Sequence, residues 1–505
     1  MKNSIKITAL LCALIFTTSL CACGAPTNTP SENTVLTEPE IITTETIPTE
    51  TNPIETNPIE TIPETTEEET APPPPLSHIE HTFADGYCTE CGASEGLIYK
   101  MNDDGISAEL IMAKSCKQEK IVIAESFKGY PVTRIGASTF KDHRPVKEIV
   151  IPETVTEIAS GAFMSTLIEH IKIPTGVTRI EDKAFSACRF LKSIELPEGL
   201  LYIGANAFTE CSVLETIELP NSITEIGEHC FELCDSLKEI TIPTGVTVLQ
   251  SSLLKTCLNL ERIVLHKNIT TIHSMALQTF SNLREVVDFP DNLEYIGPGA
   301  FTQFFPLRTE YGNCVYIGSP DNPYQILEVI KDKSLTEAEV HKDTKFIAAY
   351  AFRASRIQKL NIPDGVKLIG AQAFLQCWEL TELSLPDSIH TIESEAFASC
   401  IALTAIKLPA NLRSIEYQLL DGCQSLTEIV IPSSVETVGF LAFNGCKGIK
   451  SISFPISVKN INMDIGLVST DIHYEGTKKE WETINENVWQ FEGCTLHAKD
   501  GQFHG

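Results

Sequence analysis

Proline recurs along this chain every 23 residues, with single-residue slips, at Pro152, Pro174, Pro197, Pro220, Pro243 and Pro290, then at Pro363, Pro386, Pro409, Pro432 and Pro455. His266 fills the one missing slot. Phenylalanine keeps the same period at Phe140, Phe163, Phe185, Phe208, Phe231 and Phe301, and again at Phe352, Phe374, Phe397 and Phe443. Leu254, Leu277 and Leu420 substitute for it. Self-similarity at such a period marks a solenoid, each repeat forming one coil. The unit reads L-x-x-I-x-I/L-P-x-x-V-T-x-I-G-x-x-A-F-x-x-C. One clear copy is Leu191–Pro197 followed by Ile203-Gly204, Ala207-Phe208 and Cys211. Thirteen copies can be counted, eight before an interruption and five after it.

The spacing fixes the local structure. Alternation in L-x-x-I-x-I places apolar side chains on one face of a short strand, and proline ends it. V-T-x-I predicts a second extended segment, Gly a tight turn, and A-F-x-x-C the closing of the coil. A single coil cannot bury its apolar face, whereas stacked coils with parallel strands bury a continuous core. The fold class expected is therefore a β-rich leucine-rich-repeat solenoid of about thirteen coils, roughly 60 Å long at a strand spacing of ~4.8 Å.

The residues before the repeats carry separate signals. Lys2 and Lys6 precede an apolar run from Ile7 to Leu20, about 21 Å as a helix and too short for a bilayer core of roughly 30 Å. A secretory signal is expected. Its end, Leu20-Cys21-Ala22-Cys23-Gly24, resembles a bacterial lipobox. That resemblance implies cleavage before Cys23, acylation of Cys23 and stable membrane anchoring; the alternative is plain cleavage and secretion. Residues 24–77 hold eleven Glu and no Lys or Arg, with an exact duplication at 51–55 and 56–60 and four consecutive prolines, Pro72 to Pro75. Such a stretch cannot bury enough apolar surface to offset chain entropy, and it predicts an extended tether, with a reach on the order of 150 Å.

After it stand His78, His81, Cys88 and Cys91. Two short ligand pairs around a tight turn are what a tetrahedral, structural zinc site needs. The segment resembles zinc-ribbon-like knuckles, although His78 stands where Cys is usual and the six-residue loop is short. A Cys88–Cys91 disulfide or an incidental pair of thiols are the competing readings.

From Leu97 to Gly501 the chain strongly resembles the BspA-type leucine-rich-repeat family. Beyond the repeats, the resemblance rests on Leu97-Ile98-Tyr99 through Gly129-Tyr130-Pro131-Val132-Thr133 as an N-terminal hairpin cap with Asp103-Asp104-Gly105 as its turn. It rests also on Asn313–Gly318 and Asn322–Leu327 as a recurrent insertion, and on Tyr474–Thr477 with Trp481 and Asp500-Gly501 as a C-terminal cap. Thr477 and Glu480 are spaced as a capping box. Ala498 departs from the pattern, where Cys is expected, which puts a partner for Cys494 in doubt. The resulting division is 1–22 signal, 23–77 tether, 78–96 zinc-knuckle candidate, 97–131 cap, 132–301 first repeat block, 302–343 insertion, 344–468 second block and 469–505 cap. The resemblance implies a cell-surface or secreted bacterial protein that adheres to host or bacterial proteins without catalysis. A cell-wall or polysaccharide binding module is the alternative function.

Other chemistry finds little support. A net charge of −29 argues against nucleic acid, whose phosphates need clustered Lys and Arg. Cys188, Cys211, Cys234, Cys257, Cys377, Cys400, Cys423 and Cys446 all lie three residues after the Phe position, where His143, Thr166 and Phe280 also occur. That tolerance predicts a buried, space-filling slot and not a redox centre. Gly92-Ala93-Ser94-Glu95-Gly96 matches a nucleophile elbow by letters but lacks its strand–turn–helix context. Binding is expected on outward strand positions, of which His170, Lys172, Glu195, Glu218, Arg262, Lys359 and Lys407 are the candidates. These positions hold no aromatic row, which favours a protein over a stacked sugar. The aromatic insertion (Phe304, Phe305, Tyr311, Tyr316, Tyr324) is expected to be a local core.

Overall fold

The computed structural model describes residues 82–504 apart from 114, 303, 305, 463–464 and 486–492. The signal, the tether, Cys23, His78 and His81 lie outside the described residues. What is described is a parallel-strand solenoid of about sixteen turns of roughly 23 residues. The turns beyond thirteen come from strands that lack the Phe and Pro signature. Lys120–Val122 extends the first strand wall by pairing parallel with Glu148–Val150, and Ala108–Met112 extends the second by pairing with Tyr130–Ile135. Asp471–Tyr474 and Thr495–Ala498 add parallel strands at the other end.

Each coil has three walls. The first strand pairs with its equivalent 23 residues on, as His170 does with Ser193, Arg262 with Glu285 and Lys359 with Glu382. The second strand is only two residues long in most coils, as at Arg179–Ile180, Tyr202–Ile203 and Thr391–Ile392. The third wall carries the A-F pair. Here alternate N–H groups leave the coil: Lys183, Phe185 and Ala187 donate to Ala205, Ala207 and Thr209 carbonyls of the next coil, while Ala184, Ser186 and Cys188 donate three residues back. This alternation needs two left-handed residues per coil, such as Lys183 and Ala187 or Gln372 and Gln376.

The turn is therefore not made by the expected glycine. Gly204, Gly227 and Gly370 have no positive φ; a Cβ on them would lie 2.4–2.5 Å from a backbone nitrogen of the preceding coil. Glycine there permits close stacking, and the left-handed strain falls on side-chain-bearing residues at ~1–3 kcal/mol each. That cost is sustained because the surrounding core fixes the turn.

The core is a ladder. Phe140, Phe163, Phe185, Phe208 and Phe231 are fully buried and stack ring on ring at centroid distances of 5.4, 5.0, 5.4 and 5.5 Å. Phe352, Phe374 and Phe397 repeat this at 4.9 and 5.4 Å. Charge decorates the coil edges in register: Lys147 pairs Glu119, Lys192 pairs Glu169 and Lys238 pairs Glu215, all exposed and screened by solvent.

The interruption is a three-stranded antiparallel element, Arg308–Tyr311, Cys314–Ile317 and Ile326–Ile330, whose last strand joins the second wall by pairing parallel with Phe346–Ile347. Phe304 is buried in the core of the first block, whereas Tyr316, with Tyr311 and Tyr324 packed beside it, is buried in that of the second, and Tyr324 stacks on His341 at 3.8 Å; Phe305 lies outside the described residues. Glu337 bridges to Lys359, so the coil containing Phe352 already begins inside the inserted segment. Contacts also cross the interruption: Tyr295 Oη donates to Glu393 Oε1 at 2.8 Å, and Lys367 Nζ to Leu293 O at 3.2 Å. Burial holds the Glu393 carboxyl above its ordinary range, opposed by hydrogen bonds from Tyr295 and Ala371 N–H.

At the far end, the Thr477 hydroxyl accepts from Glu480 N–H, and Glu480 accepts from Thr477 N–H at 2.7 Å. This completes the capping box of the helix Lys478–Ile484. The helix buries Trp481 against Phe454.

Candidate binding face

Alternation along the first strand turns one residue inward and two outward. The exposed–buried–exposed pattern holds at Glu148–Val150, His170–Lys172, Ser193–Glu195, Lys359–Asn361 and Glu428–Val430. Stacking then makes two outward columns, which differ in chemistry.

The first column holds its cations internally. Lys120 pairs Glu148 at 2.6 Å, His170 Nδ1 meets Ser193 Oγ at 2.7 Å, and Lys359 pairs Glu382 at 2.8 Å. Arg262 sits between Glu239 and Glu285, 2.9 Å from the latter. Cross-strand pairs of this kind support the stack and leave none of these three cations free for a ligand.

The second column carries unpaired charge. Among the described residues Lys172, Glu195, Glu218 and Lys407 make no ion pair, and all are exposed. The fold brings His170, Lys172 and Glu195 together on an open groove of about 610 Å³, and Lys359 and Lys407 on another of about 740 Å³. Glu218 and Arg262 line neither. Thr216 to Glu218 also forms no strand beyond a single bridge from Thr216 to Glu239.

Sequence reasoning passed over two features of this face. Val430 is 73% exposed, and it sits with Ala405, Lys407, Ala410 and Pro432 in an apolar patch beside the second groove. The alternation had placed it outward, but its apolar surroundings come from two neighbouring coils. His473 and His497 extend the second column, with rings stacked at 4.6 Å and His497 Nε2 3.5 Å from Asp471. The alternating Asp471-Ile472-His473-Tyr474 and Thr495-Leu496-His497-Ala498 were the available signal, hidden by reading this segment only as a cap.

The cysteine slot has chemistry beyond space filling. The thiols of Cys188, Cys211, Cys234, Cys257, Cys377, Cys400 and Cys423 each donate to the carbonyl of a Phe about 25 residues earlier, at 3.1–3.3 Å. Thr166 serves its own coil by donating to Phe163 O at 2.9 Å. Burial pushes the Cys188 thiol up to about 11 and Cys446 up to about 12, so both stay protonated at neutral pH.

Ser94, of the nucleophile-like stretch, is buried and its hydroxyl accepts from Val122 N–H at 2.9 Å. It ties the N-terminal hairpin to the solenoid. In that hairpin Phe83–Ala84 pairs Tyr87–Cys88, and a turn closed by Gly92 N–H on Cys88 O at 2.9 Å brings Cys91 close to Cys88. Burial raises the Cys91 thiol, the Ala93 N–H lowers it, and the Cys88 thiol raises it further. Cys88 is buried and Cys91 exposed, with no disulfide between them. The turn thus presents two thiols together, as a metal site requires; the two histidines lie outside the described residues.

A family model described as BspA type leucine-rich repeat region matches in six copies over residues 112–216, 201–313 and 345–465. No curated protein matches the chain. It is similar to a leucine-rich repeat protein from Bacteroides ovatus (26% identity, 72% of this chain and 94% of that one, TM-score 0.41). It is also similar to a leucine rich cell surface protein from Faecalibacterium prausnitzii (25%, 79% and 98%, TM-score 0.35). A third similar structure is the leucine-rich repeat protein of T. pallidum (24%, 42% and 87%, TM-score 0.34).

Proposed function

Because the chain belongs to the BspA-type leucine-rich-repeat family, we propose that it is a bacterial cell-surface protein that holds protein partners on its outward strand face. The supporting observation is the second outward column: among the described residues Lys172, Glu195, Glu218 and Lys407 stand exposed and without ion pairs, beside a first column whose Lys120, Arg262 and Lys359 are each held by a carboxylate. Exposed charges spread over a broad surface set register and speed of encounter. Val430 with Pro432 and Ala405 supplies the apolar anchor that such an interface needs. Export and acylation at Cys23 would place the face outside the membrane on a long acidic tether. Zinc held by His78, His81, Cys88 and Cys91 would clamp the hairpin that joins tether to solenoid, and its role there is structural.

The test is binding of the full-length chain to purified matrix proteins and to intact bacterial cells, set against purified wall glycans. Saturable binding to at least one protein is expected. A response confined to wall glycans would transfer the function to polysaccharide binding.

A further inference from the structure

A different surface changes character at the interruption. The residue leading into the second strand forms a column through backbone bonds: Leu201 N–H donates to Thr178 O, Thr224 to Leu201 O and Thr270 to Thr247 O. In the first block this column is neutral from Thr133 to Thr270 and ends on Glu294. In the second it becomes Lys345, Lys367, His390, Arg413, Glu436 and Lys459. The same bonds link it: Lys367 N–H to Lys345 O, His390 to Lys367 O, Glu436 to Arg413 O and Lys459 to Glu436 O, at 2.8–3.0 Å. Residues 132–301 carry fourteen Lys and Arg against twenty-two Asp and Glu, whereas residues 345–461 carry ten of each. The basic column thus lies on a stretch without net charge, in a chain that is otherwise acidic.

Beside the column runs a row of small polar residues, which with His390, Arg413, Glu436 and Lys459 of the column lines an open groove of about 650 Å³. Ser388, Ser434 and Ser457 donate their hydroxyl protons to Val366, Leu412 and Val435 carbonyls at 2.6–2.8 Å. What they offer an occupant is therefore acceptor capacity. Arg413 is exposed and, among the described residues, forms no ion pair. Asp387, the nearest acid on the serine side, is turned onto Ala410 N–H at 2.9 Å. Glu436 is the acid lining the groove, and it is held by Lys459 at 2.6 Å.

We infer that this groove binds an acidic polysaccharide, whose carboxylate or sulfate groups meet Arg413 and Lys459 while its hydroxyls donate to the serine row. Arg413 and Lys459 are two coils apart, about 10 Å at the strand spacing, which spans a short oligosaccharide. A polyanion without hydroxyls satisfies only the cations, and a neutral glycan only the serines. The site is independent of the strand face and adds a second class of ligand.

The full-length chain is passed over immobilised polygalacturonate and heparin, with dextran and poly-glutamate in parallel. Retention is expected on one or both anionic glycans, falling as salt rises. Retention on polygalacturonate alone assigns a carboxylate ligand; retention on heparin alone assigns a sulfate. The double variant Arg413→Ala/Lys459→Ala should bind at least about fivefold more weakly, and Glu436→Gln about two- to threefold more tightly, the scale of exposed charge pairs. Lys407→Ala, on the strand face, should leave glycan binding unchanged. Thermal unfolding checks the variants, and Arg413→Gln alone replaces the double variant if it proves unstable. The inference is overturned by failure to retain either glycan, by equal retention on dextran or poly-glutamate, or by undiminished binding of a folded Arg413 variant.

Discussion

Truncating Phe208 to Ala removes a ring that is fully buried and lies parallel, within 2°, to Phe185 on one side and Phe231 on the other, at 5.4 and 5.5 Å. A buried Phe→Ala change costs ~3–5 kcal/mol. Two broken aromatic stacks, each worth ~0.5–1.5 kcal/mol beyond area burial, put Phe208 toward the upper end. Phe397 stacks on Phe374 at 5.4 Å, but its next neighbour in the ladder is Leu420. It loses one stack, so Phe397→Ala should cost roughly 1 kcal/mol less than Phe208→Ala. Urea unfolding followed by circular dichroism gives the totals, and hydrogen exchange gives their distribution. Because such arrays are stabilised through nearest-neighbour interfaces, protection should fall in the coils of Phe185 and Phe231 as well. Glu218→Ala, exposed and without an ion pair, serves as the reference and should cost less than ~0.5 kcal/mol. A cost below ~1 kcal/mol for Phe208→Ala, or a loss of protection confined to its own coil, would refute the ladder as the source of stability.

Four further outcomes are expected. In native protein stripped of metal a thiol reagent should label Cys91, increasingly so as pH rises through its elevated range, while Cys188 and Cys446 react only on unfolding; native labelling of the ladder would contradict their burial. Glu393 has a folded-state affinity for its proton above the ordinary carboxylate value, so the unfolded state loses that proton first and stability falls as pH rises from the ordinary range through the raised one. Glu393→Gln keeps an acceptor for Tyr295 and should flatten that fall in pH-dependent melts; an unchanged pH profile would remove burial as the cause. Exported full-length protein should carry about one zinc per chain by metal analysis and release protons on loading, and a Cys88–Cys91 disulfide found by mass mapping would decide against zinc. Cys23→Ala should shift the protein from membrane to medium, and an unmodified mature N-terminus elsewhere would rule out the anchor.

The repeat was legible because period and side-chain type coincide: Phe at one position of nearly every coil can only be a stacked core, and the rings at 4.9–5.5 Å realise it. The turn chemistry was not legible. Left-handed residues fall on Lys183, Ala187, Gln372 and Gln376, types with no preference for that region, because the inter-coil bonds and not the local sequence impose it. The glycine of I-G was visible but assigned to the wrong cause, since close approach between coils depends on a neighbour 21–22 residues away. Thirteen coils were counted where about sixteen turns form, because the caps and the insertion add rungs using strand pairing without the Phe. On the binding face, alternation identified the outward residues, yet it could not separate Arg262, locked between Glu239 and Glu285, from Lys172 and Lys407, which stand clear. That distinction arises only when adjacent coils come into register.

The strand-face reading is tested most directly by reversing Lys172, Glu195 and Lys407 together (Lys172→Glu, Glu195→Lys, Lys407→Glu) in the full-length chain. Its binding to the protein partner found in the panel is then compared with that of the groove variant Arg413→Ala. The strand-face variant, with an unchanged melting transition, should bind the partner at least about tenfold more weakly, or ~1.4 kcal/mol, while Arg413→Ala matches the unaltered protein. Undiminished binding by the strand-face variant, or loss on the groove variant instead, would contradict the assignment of that face.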